Sequence, residues 1–230
     1  MALFVVATPI GNAADFSSRA LTTLREADLI IGEELKVLRQ TLKSAGINGI
    51  PLEQLNEHSR TADITHFVEE CSARKVALVS DCGTPGFCDP GAELVAACAL
   101  AGVEVRPVPG ASSLMTLLSV CGVRLERFLF YGFLPAKNEL RLAALAALKK
   151  ENHPFVLLET PYRCARIMDE IATFFPNHFC AVGLDLTGDK ERVLRLKGHQ
   201  LAAAGPFHDS EPVVLIVPPG HLAGSSHTRN

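Results

Sequence analysis

Val76-Ala77-Leu78-Val79-Ser80-Asp81-Cys82-Gly83-Thr84-Pro85-Gly86-Phe87-Cys88-Asp89-Pro90-Gly91 is the stretch whose reading decides the fold of this chain. Val76 to Val79 form an apolar run without alternation, the pattern of a strand buried on both faces, and the Gly/Pro-rich segment after it reads as a rigid loop. Asp89 predicts an N-cap and Pro90 the first position of a following helix. A loop at the carboxyl end of a buried strand is where open α/β sheets hold ligands, because backbone donors and a helix N-terminus converge there.

The same alternation of apolar runs and helical stretches extends in both directions and predicts an α/β architecture with mostly parallel strands. Strands are predicted at 3–7, 29–32, 76–79 and 103–108 in the first half, with helices at 35–45, 64–74, 90–101 and 112–120. Gly122 reads as the C-terminal cap of the last of these. After it, Val123-Arg124-Leu125-Glu126-Arg127 reads as a domain boundary. A second set of strands follows at 128–133, 155–158, 179–186, 193–196 and 212–217, with helices at 138–150 and 163–175. The 138–150 helix reads as amphipathic, with Leu140, Ala143, Leu145 and Leu148 inward and Arg141, Lys149 and Lys150 outward. The expected organisation is two α/β domains, 1–122 and 123–220, and a polar tail at 221–230.

A chain of 230 residues with 48% hydrophobic content can bury a full core. No apolar run reaches the roughly 20 residues of a membrane helix, and Met1 to Gly11 lacks the pattern of a signal peptide, so a cytoplasmic protein without membrane association is expected. Seven cysteines without a CxxC pair read as reduced thiols, and no metal site is expected. The net charge of −3 argues against indiscriminate nucleic-acid binding. Residues 1–123 hold 9 Lys/Arg against 14 Asp/Glu, and 124–230 hold 13 against 11, so an anionic substrate is expected to favour the second half.

Four turn-rich segments each follow a strand: Thr8-Pro9-Ile10-Gly11-Asn12, the 80–91 loop, Pro109-Gly110-Ala111-Ser112-Ser113 and Glu159-Thr160-Pro161-Tyr162-Arg163. Parallel strands would bring all four to one edge, lining one cleft. Gly and Pro also simply turn a chain, so any one of these loops reads equally as a plain connection. No GxGxxG, Walker loop or GxSxG elbow is present, which disfavours a Rossmann oxidoreductase, a P-loop NTPase and an α/β-hydrolase.

In order and spacing, these four segments together with Val5-Val6-Ala7 and Phe128-Leu129-Phe130-Tyr131-Gly132-Phe133-Leu134-Pro135 resemble the tetrapyrrole methylase superfamily over residues 3–218. Within it the chain is most similar to the small-subunit ribosomal RNA methyltransferase I subfamily, which methylates a cytidine ribose 2′-hydroxyl. The resemblance implies a homodimer of two-domain chains, with S-adenosylmethionine in the cleft between the domains. It also implies cofactor contacts at Pro9, Ser80, Gly83, Thr84, Pro85, Phe87, Ser112 and Ser113, with Thr160, Leu184 and Pro212 closing the pocket from the second domain. Ser112 reads equally as a helix N-cap.

Two segments depart from the subfamily pattern. Glu33-Glu34-Leu35-Lys36 stands where Glu-Asp-Thr-Arg is typical, and Leu184-Asp185-Leu186-Thr187-Gly188 where Arg-Glu-Leu-Thr-Lys is typical; the first loses a bidentate fork and the second loses both cations. Methyl transfer to a hydroxyl needs alignment and a base. The candidate catalytic residues are Glu33, His58 and Arg163, the last to orient a phosphate. Each has a plainer reading, since Glu33 favours the start of the next helix, His58 suits a surface loop and Arg163 can merely open a helix. Three functions compete: methylation of small-subunit ribosomal RNA, methylation of a small molecule such as a tetrapyrrole precursor, and S-adenosylmethionine binding without catalysis.

Overall fold

A computed structural model describes residues 1–224 apart from Pro90 and Asp209. The expected Pro90 helix start and the end of the expected tail, 225–230, lie outside the described residues. The chain divides into two compact units, Met1–Ser112 and a second from Ser113 onward.

In the first unit, β1 (Ala2–Val6), α1 (Ser18–Arg25), β2 (Leu29–Gly32), α2 (Leu35–Ser44), β3 (Leu52–Gln54), α3 (Thr61–Ala73), β4 (Lys75–Leu78), α4 (Gly91–Leu100) and β5 (Glu104–Val108) follow one another. The five strands form one sheet in the order β3-β2-β4-β1-β5, every pair parallel. Strand residues alternate between two cores. Val6, Ile30, Ala77 and Val108 pack with Leu24, Leu38 and Leu42 of α1 and α2. Leu3, Leu29, Ile31, Val76 and Leu78 pack with Phe67 of α3 and Leu94 of α4. This is the arrangement that right-handed crossovers require: the connections from β1 and β2 run one way along the sheet and those from β3 and β4 the other, so their helices take opposite faces.

The second unit contains α5 (Ser113–Val120), β6 (Leu129–Phe133), α6 (Asn138–Leu148), β7 (Phe155–Leu158), α7 (Cys164–Phe174), β8 (Phe179–Leu184), β9 (Arg192–Lys197), α8 (Leu201–Ala204) and β10 (Pro212–Val217). Its sheet runs β6-β7-β10-β8-β9. Only β6 and β7 pair in parallel; β10 is antiparallel to β7 and β8, and β9 to β8. The expectation of mostly parallel strands therefore holds for the first sheet and fails for the second, where β8 returns directly as β9 with no crossover helix between them. Helix α5 packs on β10 and β8, which explains why the chain divides before it and not after Gly122.

Three elements escaped the sequence reading. Strand β3 is three residues long and helix α8 four, too short for periodicity, whereas α1 carried a usable signal, Ser17 capping the N–H of Ala20 ahead of buried Ala20 and Leu24. Helix α6 keeps Leu145 and Leu148 inward and Lys149 and Lys150 outward as expected, but its first two turns differ. Arg141 is wholly buried with Leu145 and Leu148, while Leu140 is 58% exposed and Ala143 faces out. The i, i+4, i+7 face is inward as helical geometry demands, and an arginine fills its first position because buried Glu159 and partly buried Glu170 await it, as described below. Of the seven free cysteines, Cys82 and Cys88 are exposed and the other five buried.

Gly198 marks a close approach in this unit, since a Cβ there would collide with the backbone carbonyl of Phe175, at the end of α7. Backbone cannot rotate away, so Gly198→Ala is expected to reduce stability by about 3 kcal/mol, the upper end for overpacking. Urea unfolding checks this: the midpoint should fall at unchanged slope.

Candidate functional site

At the carboxyl edge of the first sheet, adjacent β1 and β4 send their connections in opposite directions, which opens the crevice where such sheets bind ligands. Three loops meet there. The Thr8 N–H donates to the Gly83 carbonyl at 2.9 Å and the Ala7 N–H to Val108 at 3.0 Å. Thr84 Oγ1 donates to the Ala111 carbonyl at 3.0 Å, and Ser80 Oγ to Cys82 at 3.1 Å. Two glycines allow this closeness. Gly83 lies at φ +77°, with its absent Cβ 3.2 Å from Ile10, and a Cβ on Gly110 would sit 2.9 Å from that of Ala7. The 80–89 loop is further braced by Asp89, whose carboxylate accepts the Gly86 N–H at 2.8 Å and the Gly91 N–H at 3.1 Å.

Acidic groups concentrate at this edge. Glu33 follows β2 directly, its carbonyl accepting from Gln54 Nε2 at 2.9 Å, and Asp81 Oδ1 accepts the Glu34 N–H at 3.1 Å. Partial burial, then the charges of Asp81, Asp89 and Glu57, raise the Glu33 pKa above the usual carboxylate range. Burial also raises that of Asp81, with Glu34 adding to it and the Glu34 N–H opposing. Both carboxyls thus hold protons more tightly folded than unfolded. Their contribution to stability is greatest below the unfolded pKa, near 4, and is lost as pH rises through the folded values.

In the second unit the antiparallel pairing of β10 brings the carboxyl ends of β7 and β8 to the same edge as the amino end of β10. The Glu159 N–H donates to the Pro212 carbonyl at 3.3 Å, and Pro212 pairs with Leu184. Glu159 is the hub of this edge. Its Oε2 lies 2.7 Å from Arg141 Nη1, and its Oε1 lies 2.9 Å from Arg163 Nε and accepts the Thr160 N–H at 2.8 Å. Arg141 also grips Glu170 through Nε and Nη2 at 2.8 and 2.7 Å, and Arg166 Nε reaches Glu170 at 2.9 Å. Burial works against the Arg141 charge, but Glu170 and Glu159 outweigh it and raise its pKa; the two arginines likewise outweigh burial and lower that of Glu170. Beyond β8, Asp185 at φ +48° and Thr187 at φ +65° hold a left-handed backbone, an arrangement costing roughly 1–2 kcal/mol per residue.

The structure therefore gathers Pro9, Ser80, Gly83, Thr84, Pro85, Phe87 and Ser112 on loops at one sheet edge, with Glu33 on the neighbouring loop. Phe87 is 62% exposed. Thr160, Leu184 and Pro212 lie together on an edge of the other sheet, and Ser113 opens α5. The 159–163 segment thus belongs to a different sheet from the other three loops, so the expected single parallel edge is corrected. His58 is almost fully exposed, its Nε2 3.7 Å from Glu57. Arg163 is not open at Nε, which bonds Glu159 and Thr160, and its guanidinium lies 5.2 Å from the Tyr162 ring centre. Sequence reasoning missed Asp81 as the neighbour of Glu33, and the Arg141–Glu159–Glu170 cluster. Its signals were present: an arginine in phase with Leu145 and Leu148, and a glutamate ending an apolar strand.

Residues 2–202 match the model of the tetrapyrrole (corrin/porphyrin) methylases. A ribosomal RNA small subunit methyltransferase I of Neisseria meningitidis serogroup B is 39% identical over 194 residues, covering 84% of this chain and 66% of that protein. A serogroup A protein of the same name is 37% identical over 222 residues, covering 94% and 76%. The chain thus spans about two thirds of the serogroup B relative's length. Among solved structures, diphthine synthase superposes with TM-score 0.76 at 15% identity, over 94% of this chain and 90% of that one. Uroporphyrin-III C-methyltransferase from Thermus thermophilus, complexed with S-adenosylhomocysteine, gives 0.61 at 17%, over 94% and 97%.

Arg141→Met should lower stability, by less than the roughly 3–5 kcal/mol of a fully unpaired buried charge, because Glu159 keeps Arg163 and Glu170 keeps Arg166. The neutral triple variant Arg141→Met/Glu159→Gln/Glu170→Gln should recover much of that loss in the same urea titration. Asp81→Asn keeps an acceptor for the Glu34 N–H while removing a charge beside Glu33. Its Tm should exceed that of the wild type at pH 7, and the two should converge below about pH 4, where both carboxyls are protonated.

Proposed function

This chain belongs to the tetrapyrrole (corrin/porphyrin) methylase family, and on that premise we propose that it is an S-adenosylmethionine-dependent methyltransferase whose acceptor is a ribose hydroxyl of small-subunit ribosomal RNA. The observation that carries the reading is the similarity, at 37–39% identity over 84–94% of the chain, to proteins named for that RNA. A cytoplasmic location and a homodimer belong to the same reading. No helix among the described residues is long and apolar enough to cross a membrane.

The residues at the first sheet's carboxyl edge suit such a cofactor. A sulfonium is a cation, and the edge carries Glu33 with Asp81, Asp89 and Glu57 close enough to raise its proton affinity. Backbone can approach a ligand closely at Gly83 and Gly86, both at positive φ, the latter with open space where its Cβ would stand. Pro9, Ser80, Gly83, Thr84, Pro85, Phe87 and Ser112 are the proposed contacts of this unit. When bound, S-adenosylmethionine supplies an electrophilic methyl group.

The chain's own task is then to align a hydroxyl and take its proton. Of the three candidates, Glu33 has the best placement for this. Its backbone is tied to β3 by Gln54 and the next residue to the β4 loop by Asp81, which holds the backbone of Glu33 on the loop beside the switch point. The raised proton affinity makes it a stronger base than an ordinary carboxylate, as general-base catalysis rewards. His58 stands open to solvent, and Arg163 is engaged by Glu159.

Methyl transfer from labelled cofactor to small ribosomal subunits lacking the modification tests the reading; failure with intact subunits and demonstrated cofactor binding would overturn the acceptor. Glu33→Gln should slow transfer by roughly 10²–10⁴-fold, far more than any loss of cofactor affinity that calorimetry records. In the wild type, the acid limb of kcat/KM should lie above the normal carboxylate range, as the raised Glu33 pKa requires.

A further inference from the structure

Both units hold many of their cations in contacts of their own. In the second, Arg141 is buried, Arg163 and Arg166 are held by Glu159 and Glu170, Arg192 bonds the carbonyls of Ala204 and Pro206, and Arg195 bonds that of Val120. These five are held by contacts within the unit, while Lys137, Lys149, Lys150 and Lys190 are exposed. In the first unit, Arg74, Lys75 and Arg106 pair with Glu70, Glu26 and Glu104. Lys36, Arg39 and Lys43 share one helix. All three are exposed, and among the described residues none makes an ion pair or side-chain hydrogen bond.

These three lie on α2 at spacings of three and four, hence on one face, spanning about 10 Å at 1.5 Å per residue. The helix starts two residues after Glu33, so the stripe begins beside the proposed base and leads away from the acidic edge. At its far end is a cavity of about 280 Å³ lined by Arg39, Lys43, Asn48 and the apolar side chains of Leu42, Ile47 and Ile50. No acid lines it; nearby Glu53 is paired with His66 at 3.0 Å. Its apolar floor and cationic rim suit a planar base. Proteins that read RNA hold its phosphates with Lys and Arg and place unstacked bases in apolar pockets or on guanidinium planes.

We infer that the α2 face is the RNA-docking surface of this protein. Lys36, Arg39 and Lys43 take phosphates of a single-stranded segment flanking the methyl acceptor, and the Leu42–Ile47–Ile50 cavity takes one unstacked base against Arg39. The inference rests on the RNA reading of the site above. It places the polyanion contact on the more acidic half of the sequence, because the edge carboxylates and the stripe are segregated.

Binding and methylation of unmodified small ribosomal subunits by the full chain test it. Lys36→Gln/Arg39→Gln/Lys43→Gln should weaken binding at least tenfold at 0.1 M salt and reduce the slope of log K against log salt by about 2, at ~0.7 per phosphate. Its KM for subunits should rise with kcat and cofactor affinity unchanged. Asn48→Trp, at an exposed position on the cavity rim, should weaken binding without changing the slope. Unchanged affinity and slope in the triple variant, with the wild type active, overturn the surface alone, and an unaffected Asn48→Trp overturns the base pocket. A wild-type chain that binds cofactor but neither binds nor methylates subunits overturns the reading and the surface together.

Discussion

The arrangement of the first unit depends on the hand of its crossovers. Parallel strands joined by right-handed connections must place helices by direction of travel, and β1 and β4 lie side by side while their connections depart oppositely. The loops that follow both strands therefore meet at this edge, above buried strand ends. The Thr8 to Gly83 hydrogen bond closes the two loops on each other. Glycine at 83 and 110 permits the approach, and the acids arrive because β2, next in the sheet beside β4, ends at the same edge.

Charge placement follows from burial as much as from composition. Arg141 enters the second core because Glu159 and Glu170 are already there, and a buried carboxylate without a cation is far more unfavourable than a buried pair. One carboxylate, Glu159, then organises the turn after β7 through Thr160 and Arg163. The reverse holds on α2, where the apolar stripe of Leu38 and Leu42 faces the sheet and the cations on its flank meet no acid. The first half is the more acidic in sequence, yet it carries the unpaired basic stripe.

Much of this was legible beforehand. The strands Val76–Val79, Phe155–Leu158 and Pro212–Val217 are short continuous apolar runs, and the loops after them carry their own turn chemistry, so neither needs a distant partner to be recognised. The loops at 8–12, 80–91 and 109–112 were legible as one edge because parallel strands leave no alternative. Strand β3 was not, since three residues gain strand structure only from pairing with β2. The orientation of Arg141 was not either, since hydrophobic patterning assigns charge to solvent by default.

The sequence by itself determined an α/β chain, the positions of nearly all its strands, the absence of nucleotide fingerprints and the family to which its motifs belong, because each is written in local pattern. Tertiary structure alone decided that the second sheet is mixed, that Arg141 is a core residue, that Asp81 sits against the loop bearing Glu33, and that Lys36, Arg39 and Lys43 share an unpaired face. These depend on which elements become neighbours. Pairing direction and electrostatic partners are properties of residues far apart in sequence, and only packing brings them within the few ångströms over which they act.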